Sequence, residues 1–214
     1  MTLGYNIVNE TLKYAPQYVG NKLNCSACHF SGGVTQDGKN GGLSLVGEAA
    51  KYPTLHGGKV TDLVERVNSC FLKSENGTPP APDSEDMTAI ITYLHWISKG
   101  IPVYADIPWL GIKLLQSSHT ADKANGQKVF TEVCSVCHGV NGEGNPAIVI
   151  DGVSPPPLYG PDSYNDGAGM SKPEVLAAFA YDNMPFKAPS LTVDEAIDVG
   201  AYTDNQTRPH YTGP

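Results

Sequence analysis

Cys25-Ser26-Ala27-Cys28-His29 and Cys134-Ser135-Val136-Cys137-His138 are two copies of one pattern, C-x-x-C-H, 109 residues apart in a chain of 214. Their reading decides the fold. Two thiols three positions apart reach the two vinyl groups on one edge of a porphyrin, and the adjacent histidine can swing under the ring to bind iron, which is the attachment pattern of c-type haem. A zinc knuckle would need four ligands close together, and a thioredoxin-like redox pair has no need of the histidine. Both copies carry it. Two covalent c-type haems therefore follow, tethered by Cys25, Cys28, Cys134 and Cys137, with His29 and His138 as proximal iron ligands.

The composition agrees. The chain has 23 glycines, 17 prolines, 40% apolar and 17% charged residues. That excludes a disordered acidic chain and points to a loop-rich fold organised around large flat cofactors. The net charge of −8 argues against nucleic-acid binding. The charge is uneven: residues 1–105 hold 8 Lys/Arg against 9 Asp/Glu, residues 106–214 hold 6 against 13. An acidic second half suits a basic partner. No stretch approaches the ~18 apolar residues of a membrane span. Covalent haem attachment normally takes place outside the cytoplasm, so a periplasmic, exported protein is expected. The first residues lack the basic and apolar regions of a signal peptide.

Working outward from the motifs, the two halves read as loose repeats of one mostly α-helical plan. They form two class I cytochrome c-like domains, 1–105 and 106–214, each wrapped around one haem, with a linker at about 101–121 marked by Pro102, Pro108 and Gly111. In the second half Thr120-Ala121-Asp122 starts a helix through Ala124, Gly126, Val129, Phe130 and Val133. Gly126 and Phe130 share a face, the pattern that in class I cytochromes c lets the final helix cross closely. Gly4, Val8, Leu12 and Tyr14 give a weaker version in the first half. Each half ends in a helix, from Asp83 or Ser84 to Lys99 and from Thr192 to about Asp204. Thr192 and Glu195 have capping-box spacing. The runs 155–160 and 165–170 are expected to form haem-pocket walls.

The distal ligands decide whether a haem carries electrons or performs chemistry. For the second haem the candidates are Met184, 46 residues after His138 and followed by Pro185, and Met170, 32 residues after it in a glycine-rich loop. Position before the last helix favours Met184. For the first haem the candidates are His56, His95, Met87 and Cys70. Met87 and His95 are better explained by packing and exposure on the final helix, and His56 lies in a glycine-rich turn. Cys70 is the cysteine left over from the tethers. Thr61 can cap a helix running to Ser74, in which Arg66, Cys70, Lys73 and Ser74 fall on one face. Cations one turn either side of a thiol favour the thiolate and would also bind a small dianion. Asn76-Gly77 ends the segment and adds donors.

Arg66-Val67-Asn68-Ser69-Cys70-Phe71-Leu72-Lys73-Ser74-Glu75-Asn76-Gly77, the run 156–170 and Asn183-Met184-Pro185 together resemble the dihaem thiosulfate dehydrogenases (tetrathionate synthases), over nearly the whole chain. The R-x-x-x-C-x-x-x-S-x-N-G run discriminates, since many cytochromes have two haem motifs. The resemblance implies that Cys70 ligates the first iron, that Arg66 and Ser74 help bind thiosulfate, and that Met184 is the distal ligand of the second haem. Some members carry lysine just before that methionine and switch ligands. Asn183 stands there in this chain, so no lysine switch is carried over.

The activity implied is coupling of two thiosulfates to tetrathionate, or the reverse, with Arg66 and Lys73 holding sulfonate oxygens and Asn76 assisting. Electrons would leave through the second haem to an external acceptor, expected to be a small basic cytochrome c. The competing expectations are a dihaem carrier with methionine at both irons, a carrier with His56 opposite His29, and a thiolate-haem enzyme that conjugates thiosulfate to a partner's cysteine.

Overall fold

The computed structural model describes residues 1–36, 39–56, 58–150 and 153–213; the His56 side chain, a candidate ligand above, lies outside what is described. The first half opens with helices α1 (Thr2–Asn9) and α2 (Thr11–Tyr14), passes through the first haem motif as a 3-10 turn, and forms a two-stranded antiparallel hairpin of β1 (Thr54–His56) and β2 (Lys59–Thr61). Helices α3 (Leu63–Lys73) and α4 (Glu85–Ile97) complete it. The second half contains α5 (Lys123–Val129), α6 (Ser135–His138), α7 (Pro173–Asn183) and α8 (Val193–Asp204). No helix among the described residues is long and apolar enough to cross a membrane.

The expected crossings are present in both halves. A Cβ on Gly4 would strike the Ala89 carbonyl of α4, and one on Gly126 would strike the Asp198 carbonyl of α8. Both pairs thus pack backbone to backbone, which only glycine permits. Ile7 and Val8 of α1 meet Ile90, Tyr93 and Leu94 of α4 in the first core. Val129 and Phe130 meet Ala196 and Val199 in the second. Met87 is fully buried on α4 and His95 is exposed, as packing required. Leu12 is the exception on the α1–α2 stretch, being exposed.

Helix boundaries follow their caps. Thr192 and Glu195 form the expected capping box of α8. Ser84 caps α4 through the Met87 amide. For α3 the cap is Asp62, not Thr61. Asp62 has Glu65 at the third helical position, so each side chain reaches the other's backbone N–H, while Thr61 is spent in the hairpin. The helix of the second half changes pitch: α5 ends at Val129, and Phe130–Cys134 continue as a π turn into α6. Such turns insert an extra residue and are frequent at functional sites.

The linker is docked on both halves. Trp109 Nε1 donates to the Val46 carbonyl at 2.9 Å and Ile107 is buried. Farther on, His119 meets the buried Asp198 carboxylate at 2.7 Å, which also accepts from the Asp122 amide and from Asn125.

Candidate active site

The first haem motif is held by the N-terminal helices. The Cys25 amide donates to Thr11 Oγ1 at 3.0 Å, and the Ser26 hydroxyl donates to the Asn9 carbonyl at 2.7 Å. His29 Nδ1 bonds the Leu43 carbonyl and His138 Nδ1 bonds the Pro156 carbonyl, each at 2.8 Å. A carbonyl can only accept, so Nδ1 carries the proton and Nε2 is left as a lone-pair donor, the state that binds iron. Burial lowers both imidazoles, His29 to about 4, so they are neutral. None of the four tether cysteines is spent in a disulfide, so all four are available to a haem. Glu75 Oε2, Tyr164 OH and Asn68 Oδ1 are buried without a partner among the described residues. The Glu75 carboxyl lies against the Cys25 sulfur, and Tyr164 lies within reach of Cys28. Orphaned polar atoms and lone-pair imidazoles beside apolar thiols are what a covalently held haem requires of its surroundings.

Cys70 and Arg66 are brought together. They lie one turn apart on α3, and Arg66 Nη1 donates to Cys70 Sγ at 2.9 Å. Cys70 is the largest electrostatic influence on the Arg66 guanidinium, raising it, and Tyr52 and Glu48 add to it. The pair faces the first motif: Cys70 contributes to raising Cys25 and Cys28, and Arg66 contributes to lowering His29. Lys73 follows the same face but its ammonium stands 5.2 Å over the Tyr211 ring of the C-terminal segment. Long side chains extend well away from their Cα, and this one is drawn to the second domain. Ser74 ends the helix, and its carbonyl accepts from Asn21 Nδ2 at 2.8 Å. Asn76 adopts a left-handed φ of 45°, and its Oδ1 accepts from Asn165.

The two methionine candidates separate. Met184 packs on the second core with Cys134, Tyr159 and Leu191 surrounding it in the same cluster. Met170 packs instead on a small cluster of Leu23, Tyr164 and Ala168 that also touches Ala27 of the first haem motif. The run 155–160 walls the second site through Pro156. The run 165–170 packs on the first domain rather than on its own. Asn165, 1% exposed, donates from Nδ2 to the Leu72 carbonyl at 2.8 Å and from its amide to the Lys73 carbonyl at 3.1 Å. These are last-turn carbonyls of α3 that have no partner within the helix.

Three contributors escaped the sequence reading. Glu75 is 2% exposed, and burial raises it to about 8. Its only signal was an acid one residue beyond the Cys70 helix. Asn183 and Phe30 sit beside Met184 and His29 and form contacts between the domains. Their adjacency to the ligand candidates was the available clue.

Residues 18–103 match the family described as SoxA/TsdA, cytochrome c domain, and residues 123–206 match the family described as Cytochrome c. Two such domains, each with its attachment motif, make this a dihaem cytochrome c with two covalently bound, iron-containing c-type haems. The thiosulfate dehydrogenase of Stutzerimonas stutzeri (strain A1501) is 39% identical over 210 residues, covering 96% of this chain and 66% of that protein. The thiosulfate dehydrogenase of Allochromatium vinosum is 33% identical over 220 residues, covering 99% and 79%. The solved thiosulfate dehydrogenase TsdBA from Marichromatium purpuratum, in its "as isolated" form, superposes with a TM-score of 0.85 at 31% identity, over 95% of this chain and 45% of that one. The chain belongs to the thiosulfate dehydrogenase family. It spans just under two thirds of the S. stutzeri relative and of another from Thiomonas intermedia, at 66% and 65%.

Proposed function

We propose that the protein is an oxidoreductase that couples two thiosulfates to tetrathionate, reversibly, with chemistry at the first haem site and electrons leaving through the second. The observation that carries this reading is the Arg66–Cys70 pair: the one cysteine outside the tethers bonded at 2.9 Å by a guanidinium and turned toward the first haem motif. The family membership supports the same reaction.

Cys70 and His29 would hold the first iron, and Met184 and His138 the second; once bound, the haems would supply two one-electron acceptors. The Cys70 thiolate joins the sulfane sulfur of a first thiosulfate, forming an S–S bond and giving up two electrons to those acceptors. Arg66 holds the sulfonate oxygens through charge-assisted hydrogen bonds. A second thiosulfate then attacks that sulfane sulfur, tetrathionate leaves, and the Cys70 thiolate is regenerated. Ser74 and Asn76 shape the C-terminal end of the site, and Lys73 adds positive charge at its domain-facing edge. The acidic second domain favours a basic small cytochrome c as external acceptor. Such chemistry belongs in the periplasm, where covalent haem is assembled.

The test is Cys70→Gly or Cys70→Met, purified with both haems retained. Thiosulfate oxidation with ferricyanide should be abolished, and the compressed g spread of a thiolate-ligated low-spin haem should vanish from the EPR spectrum. Parental turnover in either variant would make this mechanism wrong. A carrier without substrate chemistry would show methionine signals at both irons and no thiosulfate-dependent reduction of the haem bands.

A further inference from the structure

The loop that supports the proximal ligand of the first site is joined to the segment that carries the distal ligand candidate of the second. Leu43, whose carbonyl accepts from His29 Nδ1, follows Gly42, whose amide donates to Asn183 Oδ1 at 2.8 Å. Asn183 immediately precedes Met184. Its Nδ2 donates to the Phe179 carbonyl at 2.9 Å, so both ends of this side chain, 3% exposed, are engaged. The connection repeats on either side of Met184. The Asn40 amide donates to the Asp182 carbonyl, and the Lys187 amide donates to Asn40 Oδ1, both at 2.6 Å. Phe30, next to His29, sets its ring against Phe179 and Phe186 at centroid distances of 5.8 and 5.1 Å. Gly42 is fixed in identity: its φ is 66°, and a Cβ would lie 2.7 Å from both the Cys28 carbonyl and the Phe30 ring.

A buried asparagine must find partners wherever it sits, so satisfied hydrogen bonds alone would mean little. What distinguishes Asn183 is where its bonds lead. From the His29 ring, one hydrogen bond reaches Leu43, two residues of backbone reach the Gly42 amide, a second hydrogen bond reaches Asn183, and its backbone reaches Met184. We propose that Asn183 is a positioning residue for electron transfer between the two haems: its amide fixes the Met184 segment against the Gly42-Leu43 turn and closes a bonded route from one iron ligand to the other. The proposal rests on the reading of Met184 as a ligand. In the step concerned the first haem iron is oxidised and the second reduced by one electron, with no bond broken and no proton moved.

The test uses the holoprotein without thiosulfate. A flavin semiquinone generated by a flash supplies one electron, and equilibration between the haems is followed optically. Asn183→Leu fills the same space but accepts nothing. It should slow equilibration severalfold, because the acceptor that fixes the Met184 segment against the Gly42 amide is gone. Asn183→Asp keeps the acceptor toward Gly42 and should stay within about threefold of the parent.

Thermal stability should rank the other way, because a buried carboxylate costs more than the Gly42 hydrogen bond that leucine leaves unmade. A purely structural role predicts that rate and stability fall in the same order. Parental equilibration in Asn183→Leu, or a larger slowing in Asn183→Asp than in Asn183→Leu, would overturn the proposal. Should Asn183→Leu not assemble with both haems, Asn183→Ser, too short to reach Gly42, makes the same comparison. Met184→Leu separates the underlying reading. If it leaves the potential of the second haem and the methionine-to-iron band unchanged against a Cys70→Gly background, Met184 is not the ligand and the proposal falls with it. If that band is lost while Asn183→Leu equilibrates like the parent, the role of Asn183 alone fails.

Discussion

Arg66→Gln should lower kcat/KM for thiosulfate by about 10- to 100-fold. The expectation comes from the 2.9 Å bond between Nη1 and Cys70 Sγ. A hydrogen bond involving a charged group contributes about 1.5–3 kcal/mol, and each ~1.4 kcal/mol is tenfold in rate. Arg66→Lys keeps the charge but loses the planar fork, so it should recover part of the loss and no more. Lys73→Gln is the comparison. Its ammonium stands over Tyr211, an exposed cation–π contact of about 0.5–1 kcal/mol, so the loss should stay below about fivefold. The assay is steady-state thiosulfate oxidation with ferricyanide, normalised to haem content so that incomplete loading does not masquerade as lost chemistry. If Arg66→Gln keeps kcat/KM within about twofold of the parent, the guanidinium does not hold the dianion. If Lys73→Gln loses more than Arg66→Gln, the sulfonate is held from the domain-facing edge and the assignment is reversed.

Met170→Leu should leave the reduction potential of the second haem unchanged, since Met170 packs by the first motif, whereas Met184→Leu should lower it; potentiometric titration of the haem bands reads both. Gly126→Ala should destabilise the second domain by about 1–2 kcal/mol, the ~1–3 kcal/mol of overpacking against a backbone carbonyl being offset in part by ~1 kcal/mol of helix propensity, and denaturant unfolding measures it. The clamp of the linker should give stability two pH edges. The hydrogen bond His119 donates to Asp198 raises its imidazole above the ordinary 6.5, so its contribution is complete below pH 6.5 and is lost as pH climbs through the raised value. Burial alone would raise Asp198, but bonds from Asp122, Asn125 and His119 hold it below 3.8, so its contribution is present above 3.8 and is lost as pH falls through the lowered value. His119→Gln should flatten the alkaline edge of a thermal-unfolding pH profile and leave the acid edge in place.

What could be read from the sequence was what is local or stoichiometric. The attachment motifs, the capping box of Thr192 and Glu195, the glycine crossings at Gly4 and Gly126, and the one-turn spacing of Arg66 and Cys70 depend on residues a few positions apart or on a plain count of cysteines. What escaped depends on packing between the halves. Lys73 lies on the face its spacing indicated, yet its ammonium goes to Tyr211 because the second domain comes within reach. The run 165–170 reads as a haem-pocket wall, and only the docking of the domains shows that it stands against the first domain. Thr61 and Asp62 are both competent caps, and the choice turned on Glu65 standing three residues after Asp62 rather than Thr61. The π turn at Phe130–Cys134 has no periodic signature separate from the helix that it interrupts.

Asn165 has a consequence for how such a chain can be inherited. The helix that presents Cys70 is finished by a residue encoded almost a hundred codons later, in the other cytochrome module. An exchange of modules by recombination would deliver an intact haem-binding unit and still leave the Leu72 and Lys73 carbonyls bare, so the helix would fray one turn beyond Cys70. This pair is expected to descend as a single unit, and hybrid chains joined within the linker should need asparagine restored at that position before the first module regains its shape.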